Sequence, residues 1–94
     1  MAIKRVHIYV SGKVQGVWFR ACAQQEAIEA NITGWIRNLR DSRVEIVAEG
    51  EEAGLVAIAD WCKVGSDQAQ VSDVAVTWED PTFEFSAFLT AETA

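Results

Sequence analysis

An α+β fold, with two helices on one face of an antiparallel sheet, is what three observations in this sequence predict. Two segments place apolar residues at helical spacing, while five others are short and rich in Val, Ile, Trp and Phe. The two kinds interleave as strand, helix, strand, strand, helix, strand, with an added terminal strand. Half of the 94 residues are hydrophobic, so the chain, read as a single domain over residues 1–94, can bury one core without metal or disulfide support.

The first strand is read over Ile3 to Val10, where Val6, Ile8 and Val10 alternate with Arg5, His7 and Tyr9. Residues 20 to 30 contain neither Gly nor Pro, and Phe19, Ala23, Ala27 and Ala30 recur at helical spacing, which gives the first helix. Asn31 follows as a left-handed cap. Gly34 to Leu39 and Arg43 to Glu49 outline a hairpin around Arg40, Asp41 and Ser42. Asp-Gly would be the stronger turn pair, and a positive φ at Ser42 would cost about 1 kcal/mol relative to glycine. Beyond Gly50-Glu51-Glu52, the positions Leu55, Ile58, Ala59 and Cys62 fall at i, i+3, i+4 and i+7 of the second helix. Gly65-Ser66-Asp67 ends it, Val71 to Trp78 forms a fourth strand, Asp80-Pro81 turns the chain, and Phe83 to Leu89 forms the fifth. This order is that of a ferredoxin-like sandwich.

Composition narrows the function classes. No stretch reaches the roughly 20 apolar residues of a membrane span and the amino terminus lacks a signal-peptide core, so a cytoplasmic location is expected. Cys22 and Cys62 each sit in an apolar helical pattern and are read as reduced, buried thiols; with one histidine they make a poor metal set. A net charge of −6 argues against nucleic acid as a partner. The charge is uneven: residues 1 to 43 balance at +4 and the remainder at −10, so the field of the first half would favour a small anion.

The run Gly12-Lys13-Val14-Gln15-Gly16-Val17-Trp18-Phe19-Arg20 lies between the first strand and the first helix. Its glycines permit a backbone in which successive N–H groups turn inward around an oxyanion, at the helix end where unpaired N–H groups already favour negative charge. Arg20 supplies a permanently charged fork that matches two phosphate oxygens. The bland alternative is a tight connection with Arg20 in solvent, but a cation in the first helical turn opposes the macrodipole by roughly 0.3 to 1 kcal/mol, which suggests an anion between them. The loop is neither a Walker sequence nor a dinucleotide fingerprint, so a lone phosphoryl group fits it better than a nucleotide.

Ser11-Gly12-Lys13-Val14-Gln15-Gly16-Val17-Trp18-Phe19-Arg20, followed by Gly34-Trp35-Ile36-Arg37-Asn38, Val44-Glu45 and Glu49-Gly50, resembles the two signatures of the acylphosphatases over essentially the whole chain. The resemblance implies hydrolysis of acyl phosphates to a carboxylate and inorganic phosphate, with inorganic phosphate as product or inhibitor and no cofactor or metal. Carried onto this sequence, it assigns phosphoryl binding to the loop amides of Gln15, Gly16, Val17, Trp18, Phe19 and Arg20 and to the Arg20 guanidinium, and it makes Asn38 the residue that orients the attacking water. Asn31 and Ser42 stand where the family commonly has glycine, with modest effects expected on stability or rate.

The chemistry agrees with that implication. A carboxylate leaving group needs no general acid, and phosphoryl transfer is served by positioning and charge stabilisation with water and leaving oxygen in line. Asn38 taken alone would be read as a turn residue bonded to local backbone. His7 decorates the polar face of the first strand, Trp18 covers the loop or exposed apolar surface, and Trp35, Trp61 and Trp78 are packing groups. The competing reading is a non-catalytic phosphate-binding or regulatory module, such as occurs at the amino terminus of a longer hydrogenase maturation factor; a chain of 94 residues without zinc-binding cysteine pairs is expected to be the free enzyme. A ferredoxin-like RNA-binding domain would need aromatic residues on an RNP1-like strand and a basic surface. A monomer is expected.

Overall fold

A computed structural model describes residues 2–94. Its elements follow the expected order: β1 (Ile3–Lys13), α1 (Phe19–Glu29), β2 (Thr33–Asn38), β3 (Val44–Glu51), α2 (Glu52–Cys62), β4 (Gln70–Glu79) and β5 (Phe88–Thr90). The strands form one sheet in the order β4-β1-β3-β2-β5. Alternation decides which face of β1 is buried: Val6, Ile8 and Val10 are fully buried beside Ile36, Ile46 and Ala48, and the two helices cover them with Phe19, Ala23, Ala27, Leu55, Ile58 and Cys62. Cys22 departs from expectation, being half-buried while Cys62 is buried; both thiols are free.

β1 runs three residues past its expected end because Gly12 makes a bulge against β4, where the register shifts between Ser11 and Gly12. Gly12 has φ +119 and a Cβ there would meet Gln70 O at 2.2 Å, so its glycine serves strand pairing and lies outside the anion loop. Asn31 caps α1 with φ 58, and the bonds Asn31 N–H to Ile28 O at 3.1 Å and Ile32 N–H to Ala27 O at 3.0 Å complete a Schellman ending. Ser42 also takes a left-handed φ of 79 in the β2–β3 turn.

The first four strands pair antiparallel, as expected, but the terminal strand makes the sheet mixed. β5 is confined to Phe88–Thr90 and pairs parallel with β2, with Trp35 opposite Leu89. Residues 80–87, which include five of the seven residues expected in that strand, cross the face opposite the helices. Glu49, 3% exposed on β3, captures them: Thr82 N–H donates to its carboxylate at 2.8 Å and Phe83 N–H at 3.0 Å. The two backbone donors give this buried carboxylate partners that a continued strand ladder would withhold, leaving it only the longer Arg5 contact of 3.4 Å. The crossing carries the chain from the β4 edge to the β2 edge and sets β5 beside the end of β2.

Candidate active site

The segment between β1 and α1 is only five residues long, Val14 to Trp18. Gly16 at φ 72 and Trp18 at φ 65 flank Val17, whose side chain is buried, and the amides of Gln15 to Trp18 donate no backbone hydrogen bond among the described residues. Trp18 is the N-cap of α1 and offers no side-chain cap, and the first turn carries no acid. The helix end therefore keeps unpaired N–H groups and an uncompensated positive dipole end.

A cleft of about 540 Å³ opens at this end, lined by Val14, Gly16, Trp18, Phe19, Arg20, Ala21, Gln24, Asn38 and Thr90. Arg20, in the first turn of α1, is half-buried, and none of the ion pairs among the described residues involves it. Asn38 ends β2, where its backbone pairs with Val44 and its carbonyl accepts Ala94 N–H at 3.0 Å. Its Oδ1 is buried without a hydrogen-bond partner. Arg5 Nε is the other such atom among the described residues, but a Glu79 oxygen lies 3.2 Å from it, so Asn38 Oδ1 is the buried acceptor left bare. That oxygen is not engaged with local backbone, as a turn asparagine would be.

Of the residues singled out in the sequence, the cleft gathers Gly16, Trp18, Phe19, Arg20 and Asn38. Gln15 and Val17 hold the loop from behind. Gln15 Nε2 donates to Leu39 O and to Arg43 O, both at 2.8 Å, tying the loop to the turn that follows Asn38. Val17 O accepts the hydroxyl of Ser66 at 2.6 Å. Sequence reasoning missed Val14, Ala21, Gln24 and Thr90. Gln24, four residues after Arg20 and three after Ala21, shares a helical face with each and was open to a spacing argument; Thr90 had no local signal, because its place depends on the parallel docking of β5.

On the other face of the sheet, Glu45 joins three strands. His7 Nε2 lies 2.6 Å from its Oε2 and Arg37 Nε donates to its Oε1 at 2.7 Å. Burial would raise the Glu45 carboxyl, yet hydrogen bonds from His7, Arg37 and Tyr9 hold it below the ordinary glutamate range. His7 thus serves a structural carboxylate.

Folding draws part of the positive first half into ion pairs with the second. Lys4 pairs with Glu52, Arg5 with Glu49, Glu79 and Glu84, and Arg37 with Glu45, so acids from the second half neutralise those bases. Arg20 has no ion pair among the described residues, and the first turn of α1 carries no acid beside it.

A family model described as acylphosphatase matches residues 6–90. An acylphosphatase of Marinobacter nauticus is 52% identical over 90 residues, covering 96% of this chain and 98% of that protein. Among solved structures, the acylphosphatase from Bacillus subtilis superposes with a TM-score of 0.90 at 37% identity, over 96% of this chain and 99% of that one. An acylphosphatase from Coxiella burnetii gives 0.84 at 39% identity, over 95% and 93%.

Proposed function

The chain belongs to the acylphosphatase family and is a hydrolase of small acyl phosphates, and from that premise we propose how its residues perform the reaction. Arg20 and the amides around Gly16 to Arg20 hold the phosphoryl oxygens, and Asn38 Oδ1 accepts a hydrogen bond from the attacking water. The water oxygen forms a bond to phosphorus as the bond from phosphorus to the acyl oxygen breaks. The electron pair leaves with the carboxylate, and the water proton passes to a phosphoryl oxygen of the substrate. Charge that grows on the equatorial oxygens is met by Arg20 and the helix end, without a metal ion.

One observation carries this reading: Asn38, whose Oδ1 is a buried acceptor without a partner, lines the same cleft as an unpaired arginine at a bare helix end. A non-catalytic phosphate-binding module would need the arginine but not the acceptor. Hydrolysis of benzoyl phosphate in water enriched in oxygen-18, with chelator present, is expected to place the label in phosphate; label in benzoate, or no turnover above buffer, overturns the reading. Arg20→Ala is expected to abolish phosphate binding and turnover together, since a charge-assisted contact is worth about 1.5–3 kcal/mol in the ground state and more in the transition state. Asn38→Ala is expected to lower kcat by roughly 100-fold or more with little change in inhibition by phosphate. Equal losses in both quantities would contradict the division of roles. The same reading makes the enzyme a cytoplasmic monomer: two free cysteines suit a reducing compartment, and sedimentation equilibrium checks the mass.

A further inference from the structure

We propose that Ser66 is a positioning residue of the phosphate loop, whose hydroxyl holds the Val17–Trp18 peptide so that Trp18 N–H faces the phosphoryl group. The proposal rests on the loop being the phosphoryl site and adds a residue from a distant part of the chain.

Ser66 lies in the turn between α2 and β4, and its Oγ donates to Val17 O at 2.6 Å. The turn is itself fixed. Gly65 N–H donates to Trp61 O at 2.8 Å and Ala69 N–H to Ser66 O at 2.9 Å. Gly65 also packs so closely on Phe19 that a Cβ there would lie 2.9 Å from the ring, while the Phe19 and Trp61 rings meet at a tilt of 55° with centroids 5.0 Å apart. Ser66 is therefore held at a set distance from the start of α1.

Among the described residues every peptide bond is trans, and in a planar trans peptide the carbonyl and the following N–H point in opposite directions. Ser66, Val17 and Trp18 line a second cleft beside α2, so the Val17 carbonyl is drawn to that side. Trp18 N–H then points the other way, toward the cleft of Gly16 and Arg20. This orientation requires the φ of 65 at Trp18, in the left-handed region that a bulky side chain avoids. Rotating the Val17–Trp18 peptide by half a turn would return φ to the ordinary negative range and would aim a carbonyl at the anion. The Ser66 hydroxyl is the contact that opposes this flip.

The test is titration of the nitrogen-15-labelled chain with inorganic phosphate, together with benzoyl phosphate kinetics. In the unmodified chain, the Trp18 amide is expected to shift downfield with those of Gly16 and Arg20. Ser66→Ala is expected to weaken phosphate inhibition and raise KM on the order of tenfold, with a larger fall in kcat. Ser66→Thr, which keeps the hydroxyl, should recover most of both. Shifts at Gly16 and Arg20 without one at Trp18, or unchanged phosphate inhibition in Ser66→Ala, overturn the role of Ser66 and leave the site standing. No shift anywhere in the loop overturns the site, and this proposal with it. The Trp18 response is read without any substitution, so its absence overturns the proposal even if Ser66→Ala does not fold, and Ser66→Thr then tests the hydroxyl.

Discussion

Individual residues in this chain divide into those whose role is local and those whose role depends on a distant partner. Arg20 and Asn38, in the roles proposed for them, are of the first kind: a guanidinium in the first turn of a helix and an asparagine at a strand end were picked out from neighbouring sequence and a two-part motif. Gln15 and Ser66 are of the second, since their side chains bond to backbone 24 or 28 and 49 positions away, and no local pattern announces such a bond. The two cysteines show the same division. Both have apolar helical neighbours, but burial pushes the Cys62 thiol up to about 12, whereas Cys22 is half-buried at the edge of the cleft beside α2. A thiol reagent at pH 8 is therefore expected to modify Cys22 within the assay time and Cys62 only on unfolding. Equal rates for the two thiols in the native protein would contradict this burial.

At the scale of elements, the turns hold the informative departures. Asn31 and Ser42 occupy left-handed positions in which glycine carries no steric penalty. Asparagine tolerates such a φ and serine does so less well. Ser42→Gly is expected to raise stability by about 0.5–1 kcal/mol, the relieved strain exceeding the added freedom of the unfolded chain. The reverse holds at the β1 bulge. Gly12→Ala must displace the Gln70 carbonyl of β4, so a loss of roughly 2 kcal/mol or more is expected. Urea unfolding of both variants measures the contrast, and a stabilised Gly12→Ala would disprove the packing described for the bulge. The helices and the first four strands were legible because each declares its period in ten or so residues. The bounds of β5 were not, because Phe83 to Leu89 has strand-like composition throughout and only Glu49 decides that residues 80–87 cross the sheet instead.

For the molecule as a whole, the sheet face opposite the helices is a set of buried carboxylates stitched to bases from other strands. Glu45 is the one whose ionisation favours folding most visibly, since its folded-state pKa lies below the 4.5 of the free side chain. The unfolded chain then takes up the proton first. The stabilisation is complete above pH 4.5 and is lost as the pH falls through the folded value. Urea midpoints measured from pH 7 to pH 3 are expected to drop below pH 4.5, and Glu45→Gln should lower the midpoint at pH 7 by an amount equivalent to about 1–3 kcal/mol while flattening the acid limb. An acid limb unchanged in Glu45→Gln would assign the effect to other groups. Asp41 and Glu52 are also held low by their partners Arg43 and Lys4, but both are exposed and their pairs contribute little.

By itself, the sequence determined the α+β class, the order of elements, the buried face of β1 and the acylphosphatase resemblance, and it marked the glycine loop with Arg20, and Asn38, as the pieces from which the proposed site is built. Each of these is written in short-range spacing, where periodicity, glycine and charge act on neighbours. Tertiary structure alone decided that β5 runs parallel at the far edge, that Lys4, Arg5 and Arg37 of the basic first half pair with acids of the second, and that Gln15 and Ser66 brace the loop from behind. These are contacts between residues tens of positions apart, and their energies exist only once the core has brought the partners together.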